Sequence, residues 1–268
     1  MANTIESIDW SKVEQAVLTN PDGSEAQLLS YDYEDVKAMI FAAAEKWLAR
    51  DLAQLTDVQT EQEFRTTNLC RYPVRGFIDL NGIYAGGELR GKRLVSDWKT
   101  SEGELDVNWQ NRLVGSFQWP LYARELNADF FSYRGISRKC KTREVFIEVP
   151  RFAITQVERQ FRLVGEQIHA TAAEPVWSMK KPSSCGAYNS VCQFLNECQT
   201  DTMPQYGLVE EEISLSYSGM DRFQLCSEKF RRVAKTTDEG SDSTRLGSAF
   251  HRGIEEVYRQ SFGLKEGK

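Results

Sequence analysis

Histidine is the scarcest ionisable residue in this chain of 268 residues, which contains only 2, His169 and His251. Apolar runs of the roughly 20 residues that a membrane-spanning helix needs are missing too. A basic excess is also absent, since the net charge is −6, and this argues against a protein that coats duplex DNA through many phosphate contacts. The first residues lack the basic and apolar regions of a secretory signal. We therefore expect no membrane partner and a cytoplasmic location, in a bacterium or, for a phage-encoded chain, in its host.

Hydrophobic periodicity predicts an α/β fold with a central mixed β-sheet flanked by helices. A helical period covers residues 33–55, returns after residue 103, and continues as a long amphipathic helix over 151–172. Short β-branched and aromatic runs separated by glycine and asparagine lie between these helices. The predicted strands are 60–67, 73–83, 92–99, 129–137 and 143–149. Residues 1–30 are polar and show only a turn, and two helices are expected after residue 215. We expect one domain over residues 1–268.

Two aspartates and a lysine are the first candidates for chemistry. Asp79 follows an apolar strand in GFIDL, and Asp97 and Lys99 stand two residues apart in LVSDWKTS, so both point to one face of their strand. Adjacent strands can bring Asp79 and Asp97 to one cation, for which carboxylate oxygens suit Mg²⁺ or Mn²⁺. Lys99 would position a water or neutralise charge on a phosphate. An isolated Asp-x-Lys is common, so the prediction depends on the motifs around it.

Those motifs occur in a fixed order along the chain. They are Gly76-x-x-Asp79, Asp97-x-Lys99-Thr100 and Gln118-x-x-x-Tyr122. Together they resemble the PD-(D/E)XK nuclease superfamily, and within it the RecB-like exonuclease branch. The resemblance implies a restriction-endonuclease-like core over residues 33–172. It also implies that Gln118 and Tyr122, four apart on one helix face, bind the substrate strand near the metal.

The remaining metal ligands are implied by the same resemblance. The segment LGSAFH, from Leu246 to His251, is similar to the Gly-x-x-x-His motif that supplies a further ligand in this branch. The implied metal set is therefore Asp79, Asp97, His251 and the backbone carbonyl of Trp98. Glu63 matches an acid often found on the first strand and is a candidate helper. His169 has no such context and is expected to be structural or exposed.

Three cysteines lie close together in the region 173–205, with the spacing C-x6-C-x5-C. They are Cys185, Cys192 and Cys198. Disulfides are not expected without a secretory signal, so the clustering indicates thiolate ligation, with Cys226 as a fourth ligand. The pattern resembles the iron–sulfur members of the branch, AddB-type nucleases and CRISPR-associated adaptation nucleases, which implies a structural 4Fe–4S cluster. Zinc stays open as the alternative, although no C-x2-C knuckle is present. Unliganded cysteines in a loop are the third reading.

The order of the segments differs from that family. Residues 206–268 carry Cys226 and His251, which the family places ahead of the core. A circularly permuted chain restores the order, because chain ends that lie close together tolerate permutation. The rival explanation is that the last segment completes the site of a neighbouring chain. The permuted order predicts that the last helix packs against the first strands of its own chain.

These observations predict a metal-dependent DNA exonuclease that hydrolyses phosphodiester bonds from single-stranded or frayed DNA ends. Arg71, Arg75 and Arg134 are expected to guide phosphates. No helicase P-loop is present, so we expect a stand-alone nuclease with DNA, and repair or recombination proteins, as partners. Whether it is a monomer or a homo-oligomer stays open. The alternatives are a catalytically idle DNA-binding subunit and a zinc-stabilised interaction subunit.

Overall fold

The computed structural model describes residues 3–26, 28, 30–172, 213–227, 230 and 242–264. The chain divides into two compact units whose segments alternate along the sequence. The first unit consists of residues 1–63, 77–151 and 240–268, and the second of residues 64–76 and 152–239. The core predicted over residues 33–172 therefore contributes to both units.

The first unit contains a β-sheet and helices that precede, separate and follow its strands along the chain. Its helices are α1 (Asn3–Glu6), α2 (Trp10–Leu18), α3 (Ser30–Ala43), α4 (Ala49–Gln54), α5 (Val107–Val114), α6 (Gln118–Leu126) and α9 (Asp242–Phe262). A π-helical segment (Ala44–Leu48) joins α3 to α4. The helices of the second unit are α7 (Arg151–Ala172) and α8 (Tyr217–Leu225). The strands are β1 (Leu55–Thr66), β2 (Val74–Tyr84), β3 (Arg93–Ser101), β4 (Phe130–Ser137) and β5 (Thr142–Glu148). All five predicted strands are confirmed.

The sheet has the order β1-β2-β3-β4-β5. The pairs β2–β3 and β4–β5 are antiparallel, whereas β3 and β4 run parallel because α5 and α6 form the crossover between them. The expected α/β class with a mixed sheet flanked by helices is therefore confirmed. β1 begins at Leu55, five residues before the predicted start at residue 60, because α4 ends at Gln54 and Leu55 and Val58 already face the core.

Helix α9 is the centre of the apolar core on one face of the sheet. Its residues Phe250, Ile254 and Val257 are at most 1% exposed and pack with α2, α3 and the π-helical segment. Gly253 makes the close crossing possible, since a Cβ there would lie 2.2 Å from Ile40 Cδ1. The prediction that the last helix packs against the first strands is confirmed, because α9 contacts β3 and also reaches Asp79 of β2.

Helix α2 was not predicted, because residues 1–30 are mostly polar and the helix buries only Val13 and Val17. Tertiary contacts hold it. Arg252 donates to the carbonyl oxygens of Ala16 and Val17 at 3.0 Å each, which satisfies the C-terminal carbonyl groups of a short helix. At the other end, Gln260 Oε1 accepts from the backbone N–H of Asp9 at 2.7 Å.

The second unit is built around α7. Val157, Phe161 and Ile168 of this helix are fully buried. Gly165 lets the helix approach Cys70 closely, because a Cβ at Gly165 would lie 2.9 Å from Cys70 Cβ. His169, for which no ligand role was expected, has its ring nitrogens 3.1 and 3.2 Å from Arg71 Nη1.

Two arginines, one in β4 and one directly after it, bind acidic side chains of the chain. Arg134 is 0% exposed and binds Asp51, so its prediction as a phosphate-guiding residue is wrong. Its position on β4, which is an interior strand between β3 and β5, decided this, because a buried guanidinium must be paired. Arg138 pairs with Asp32 and Asp35. Arg71 and Arg75 are exposed.

Within the part of the chain that the structure describes, no helix combines the length and the apolar character that crossing a membrane requires.

Candidate active site

The candidate site lies where β2 separates from β3. Their paired register reaches Leu80 opposite Ser96, and the next pair along would be Asp79 opposite Asp97. At this point the Asp79 side chain replaces a backbone partner, since its Oδ2 accepts a hydrogen bond from the Trp98 N–H at 2.6 Å. A carboxylate is thereby fixed in the gap between the two strands, and it is 9% exposed.

His251 reaches this gap from α9. One turn earlier, Gly247 faces β3, and a Cβ there would lie 3.0 Å from Thr100 Oγ1. The absence of a side chain at Gly247 therefore lets the helix lie close to the strand, which explains the glycine of the Gly-x-x-x-His motif in physical terms. His251 Nδ1 lies 3.5 Å from Asp79 Oδ2, so residues far apart in sequence meet within one chain.

Glu61 on β1 is the third member of the group. One potential ligand atom from each of Glu61, Asp79 and His251 lies within 4.8 Å of the other two. The sequence had indicated Glu63, which is exposed, whereas Glu61 faces the site. Asp57 and Glu61 both have positive φ angles, 50° and 46°. Such residues interrupt the regular alternation of a strand, which simple alternation from sequence cannot anticipate.

Asp97 lies beside this group and is held by two neighbours. Its Oδ1 accepts from Gln118 Nε2 at 2.8 Å, and its Oδ2 lies 2.5 Å from Lys99 Nζ. Gln118 also hydrogen-bonds with the hydroxyl of Tyr122, which is 8% exposed. The Gln-x-x-x-Tyr pair is thus connected to the Asp-x-Lys motif by direct contact. A ligand role for Asp97 itself stays a prediction.

We call these five residues the Asp79 cluster: Glu61, Asp79, Asp97, Lys99 and His251. Burial and the nearby charge of Asp79 raise the pKa of Glu61 to about 7. Burial also raises the pKa of Asp97 to about 6, because Lys99 offsets it only in part and Asp79 adds to it. Burial acts in the same direction on Asp79, but His251 and Lys99 outweigh it and lower its pKa. The cluster therefore has more buried carboxylates than cations to neutralise them.

Trp98 has two different environments. Its side chain packs edge-on against Trp47, Phe250 and Tyr258, with ring centroids 5.2, 6.1 and 5.8 Å away. Its backbone N–H is the donor to Asp79 described above. The side chain anchors the strand in the core while the backbone lies at the cluster, and the proposed role of its carbonyl as a ligand stays a prediction.

Glu255 was not predicted, although it lines the same small pocket as Glu61, Asp79 and His251. Burial raises its pKa, with an opposing effect of Arg259. A signal for it exists in the sequence, because residues four apart on a helix share a face and Glu255 follows His251 by four.

The cysteine prediction falls mostly outside the described residues. Cys185, Cys192 and Cys198 lie there, and only Cys226, which is buried directly after α8, is described. Coordination of an iron–sulfur cluster, or of zinc, by these four thiols therefore stays a prediction.

No family model and no curated protein matches this chain. Among solved structures, one described as "Crystal structure of SSO0001" is similar over 46% of this chain and 56% of that chain, with 19% sequence identity and a TM-score of 0.31. The chain thus spans little more than half the length of that structure. A likeness of this extent carries no argument about fold or function.

Proposed function

We propose that the chain is a divalent-metal-dependent deoxyribonuclease with a core of the PD-(D/E)XK type, acting as an exonuclease on DNA ends. The observation that carries the proposal is the convergence of Glu61, Asp79 and His251 within 4.8 Å, beside the Asp97–Lys99 ion pair. Two oxygens and one imidazole nitrogen form a donor set that suits Mn²⁺ and, through its oxygens, Mg²⁺. The raised pKa values of Glu61 and Asp97 support it, because a buried excess of carboxylates favours binding of a cation.

The residues of the cluster have separate roles in this proposal. Glu61, Asp79 and His251 would hold the ion, with Asp97 at its side. When bound, a Mg²⁺ or Mn²⁺ ion stabilises charge on a phosphate oxygen and lowers the pKa of a water molecule. Lys99 places a positive charge at the same point, where it can orient the attacking water or stabilise the charge that develops on the phosphate.

Gln118 and Tyr122 fix the position of Asp97 relative to Lys99. Gln118 fixes one oxygen of Asp97 and bonds with Tyr122. The other oxygen of Asp97 therefore faces Lys99 in a defined direction. In the proposal the same helix α6 contacts the substrate strand, as the resemblance implies.

The test is degradation of end-labelled linear DNA by the purified chain, with Mg²⁺ or Mn²⁺ and with chelator. We expect metal-dependent loss of linear DNA, no cleavage of covalently closed circles, and a decrease of about 100-fold or more in rate for Lys99→Ala. Lys92→Ala is the matched control, because Lys92 forms a surface ion pair with Asp129 at 2.8 Å. Activity no greater than that of Lys99→Ala would overturn the proposal and leave an idle DNA-binding subunit.

We propose in addition that Cys226, Cys185, Cys192 and Cys198 hold a structural 4Fe–4S cluster. Four thiolates are the usual ligand set of such a cluster, and ligation contributes folding free energy to the region that supplies them. Iron and acid-labile sulfide in stoichiometric amounts after anaerobic purification would support this, with loss in Cys226→Ser and retention in Cys140→Ser. Colourless protein with stoichiometric zinc would exclude the iron–sulfur assignment.

A further inference from the structure

A large aromatic side chain is exposed on β2, two residues before Asp79. Phe77 on β2 is 52% exposed, although its neighbour Ile78 is fully buried. Aromatic side chains contribute most to stability when they are buried, so the exposed half of Phe77 adds little to packing. It leaves an apolar ring face available to a ligand.

Phe77 precedes Asp79 by two residues on the same strand. Side chains two apart on a strand point to one face and are separated by roughly 6.5 Å. The paired register of β2 with β3 begins only at Leu80, so Phe77 lies beyond the paired part, on the side where the two strands separate. A ligand whose phosphate is held at the Asp79 cluster, by Lys99 and a bound cation, can therefore place its next group on the Phe77 ring.

A nucleotide has this combination of groups, because each phosphate is joined through a sugar to a flat base. Aromatic side chains bind bases by stacking, and every base has a face that can stack. Bases inside a duplex are already stacked on each other, whereas those of a single strand or a frayed end are accessible.

We propose that Phe77 is a base-stacking residue that binds a nucleobase of single-stranded DNA next to the phosphate held at the Asp79 cluster. The proposal rests on the nuclease function proposed above, since it takes DNA to be the ligand of that site. It assigns a physical origin to a preference for single strands: the ring contributes affinity only where a base face is free. It also predicts little dependence on base identity, because stacking does not read hydrogen-bonding edges.

The test is binding of a fluorescent single-stranded oligonucleotide, measured by anisotropy with Ca²⁺ in place of Mg²⁺ or Mn²⁺, so that an oxygen-liganded cation is present at the cluster. A gel of the same samples verifies that the oligonucleotide is intact. We expect Phe77→Ala to weaken binding by roughly 5- to 100-fold. Phe77→Leu, which keeps an apolar side chain without a ring, should be weakened almost as much, and Phe77→Trp should restore the affinity. Blunt duplex DNA should bind to wild type and Phe77→Ala with similar affinity.

Phe146→Ala is the matched control, because Phe146 is 50% exposed on β5 and stacks on Phe130. It should bind the single strand as wild type does. Circular dichroism and thermal unfolding of each variant exclude a loss of folding as the cause. Equal binding by wild type and Phe77→Ala, or full affinity in Phe77→Leu, would overturn the stacking role.

Binding and cleavage separate this inference from the proposed function. Phe77-dependent binding without degradation of DNA by the wild type would overturn the nuclease function and leave the stacking role intact. Degradation of DNA by the wild type, with binding that does not depend on Phe77, would overturn the stacking role and leave the nuclease function intact. A wild-type chain that binds no single-stranded DNA would overturn the stacking role directly.

Discussion

The first unit contains two groups of buried charged residues that differ in composition and in consequence. One is the Asp79 cluster, and the other is the Arg134 cluster, which we define by Arg50, Asp51, Arg134 and Glu144. In the Arg134 cluster each carboxylate meets a guanidinium: Arg134 donates to both oxygens of Asp51, at 2.5 and 3.0 Å, and Arg50 to both oxygens of Glu144, at 2.6 and 2.9 Å. The Asp79 cluster has three carboxylates against one lysine and a histidine.

The pKa values show what this difference does. Burial acts to raise the pKa of Glu144, but Arg50, Ser132 and Arg134 outweigh it and hold the pKa at about 2. In the Asp79 cluster burial prevails, and the pKa values of Glu61 and Asp97 rise to about 7 and about 6. A matched cluster therefore stabilises the fold by itself, whereas an acid-rich cluster gains most when a cation joins it.

The largest difference is expected when the cation of each cluster is replaced. Arg134→Met removes the guanidinium that binds both oxygens of the buried Asp51 and leaves this carboxylate the longer contact with Arg50, at 3.4 Å. It should lower the free energy of unfolding by about 3 kcal/mol. Lys99→Met also leaves a buried carboxylate, but Asp97 keeps the hydrogen bond from Gln118, and its pKa of about 6 allows it to take up a proton. The loss of stability should therefore be smaller than for Arg134→Met, while activity is lost. Urea unfolding of both variants measures the contrast. Equal stability losses would contradict it.

Metal binding at the Asp79 cluster should stabilise the folded protein, whereas the Arg134 cluster should contribute nothing to this effect. Mn²⁺ at about 100 times its dissociation constant should raise the free energy of unfolding by about 2.7 kcal/mol. The increase should vanish in Asp79→Asn and His251→Ala, which lose donor groups, and persist in Glu144→Gln. Thermal unfolding with and without Mn²⁺ measures it. An unchanged increase in His251→Ala would exclude His251 as a ligand.

In the metal-free protein, the contributions of Glu144 and Glu61 to the free energy of unfolding should depend on pH in opposite directions. The lowered pKa of Glu144 means that its contribution is present above its ordinary pKa of 4.5 and is lost as the pH falls toward about 2. The raised pKa of Glu61 means that stability is highest below pH 4.5 and is lost as the pH rises through about 7.

At pH 8, Glu144→Gln should therefore destabilise the metal-free protein, and Glu61→Gln should stabilise it. Each effect should be on the order of 1 kcal/mol, since one pKa unit corresponds to ~1.4 kcal/mol and partial exposure reduces it. Unfolding in chelator at pH 5 and pH 8 tests this. A destabilised Glu61→Gln at pH 8 would show that Glu61 is already neutralised within the chain.

The smallest effect is expected at the glycine that positions His251. Gly247→Ala places a Cβ 3.0 Å from Thr100 Oγ1, so the helix or the threonine must shift, at a cost of about 1 kcal/mol. We expect a several-fold loss of Mn²⁺ affinity. The double variant Gly247→Ala with Thr100→Ala should recover it, because the contacting oxygen is gone. Exposed Ser248→Ala on the same helix is the control and should change neither affinity nor stability.

The sequence alone indicated most of the Asp79 cluster and misidentified one member. The spacings put Asp97 and Lys99 on one strand face and Gln118 and Tyr122 on one helix face, but their assignment to a site depended on the ordered set of motifs and the resemblance it carries. The resemblance indicated Glu63 as a helper, whereas the residue of β1 that lies at the site is Glu61. Glu61 has a positive φ, an irregularity of β1 that the sequence pattern does not reveal. Arg134 was expected on the surface, yet it lies on β4, an interior strand of the sheet, and is 0% exposed.

What the amino-acid sequence determined by itself is local: five strands, the main helices and the residue types that can carry phosphate chemistry. Hydrophobic period and short motifs are properties of neighbouring residues, so they can be read without a fold. The tertiary structure decided which of these residues meet. The approach of α9 to β3 at Gly247, the separation of β2 from β3 at Asp79 and the irregular β1 at Glu61 bring together groups that lie far apart in the sequence. These contacts between distant residues set the charge balance of each buried cluster. The balance in turn sets the pKa values, because burial raises the pKa of a carboxylate unless a cation lies beside it.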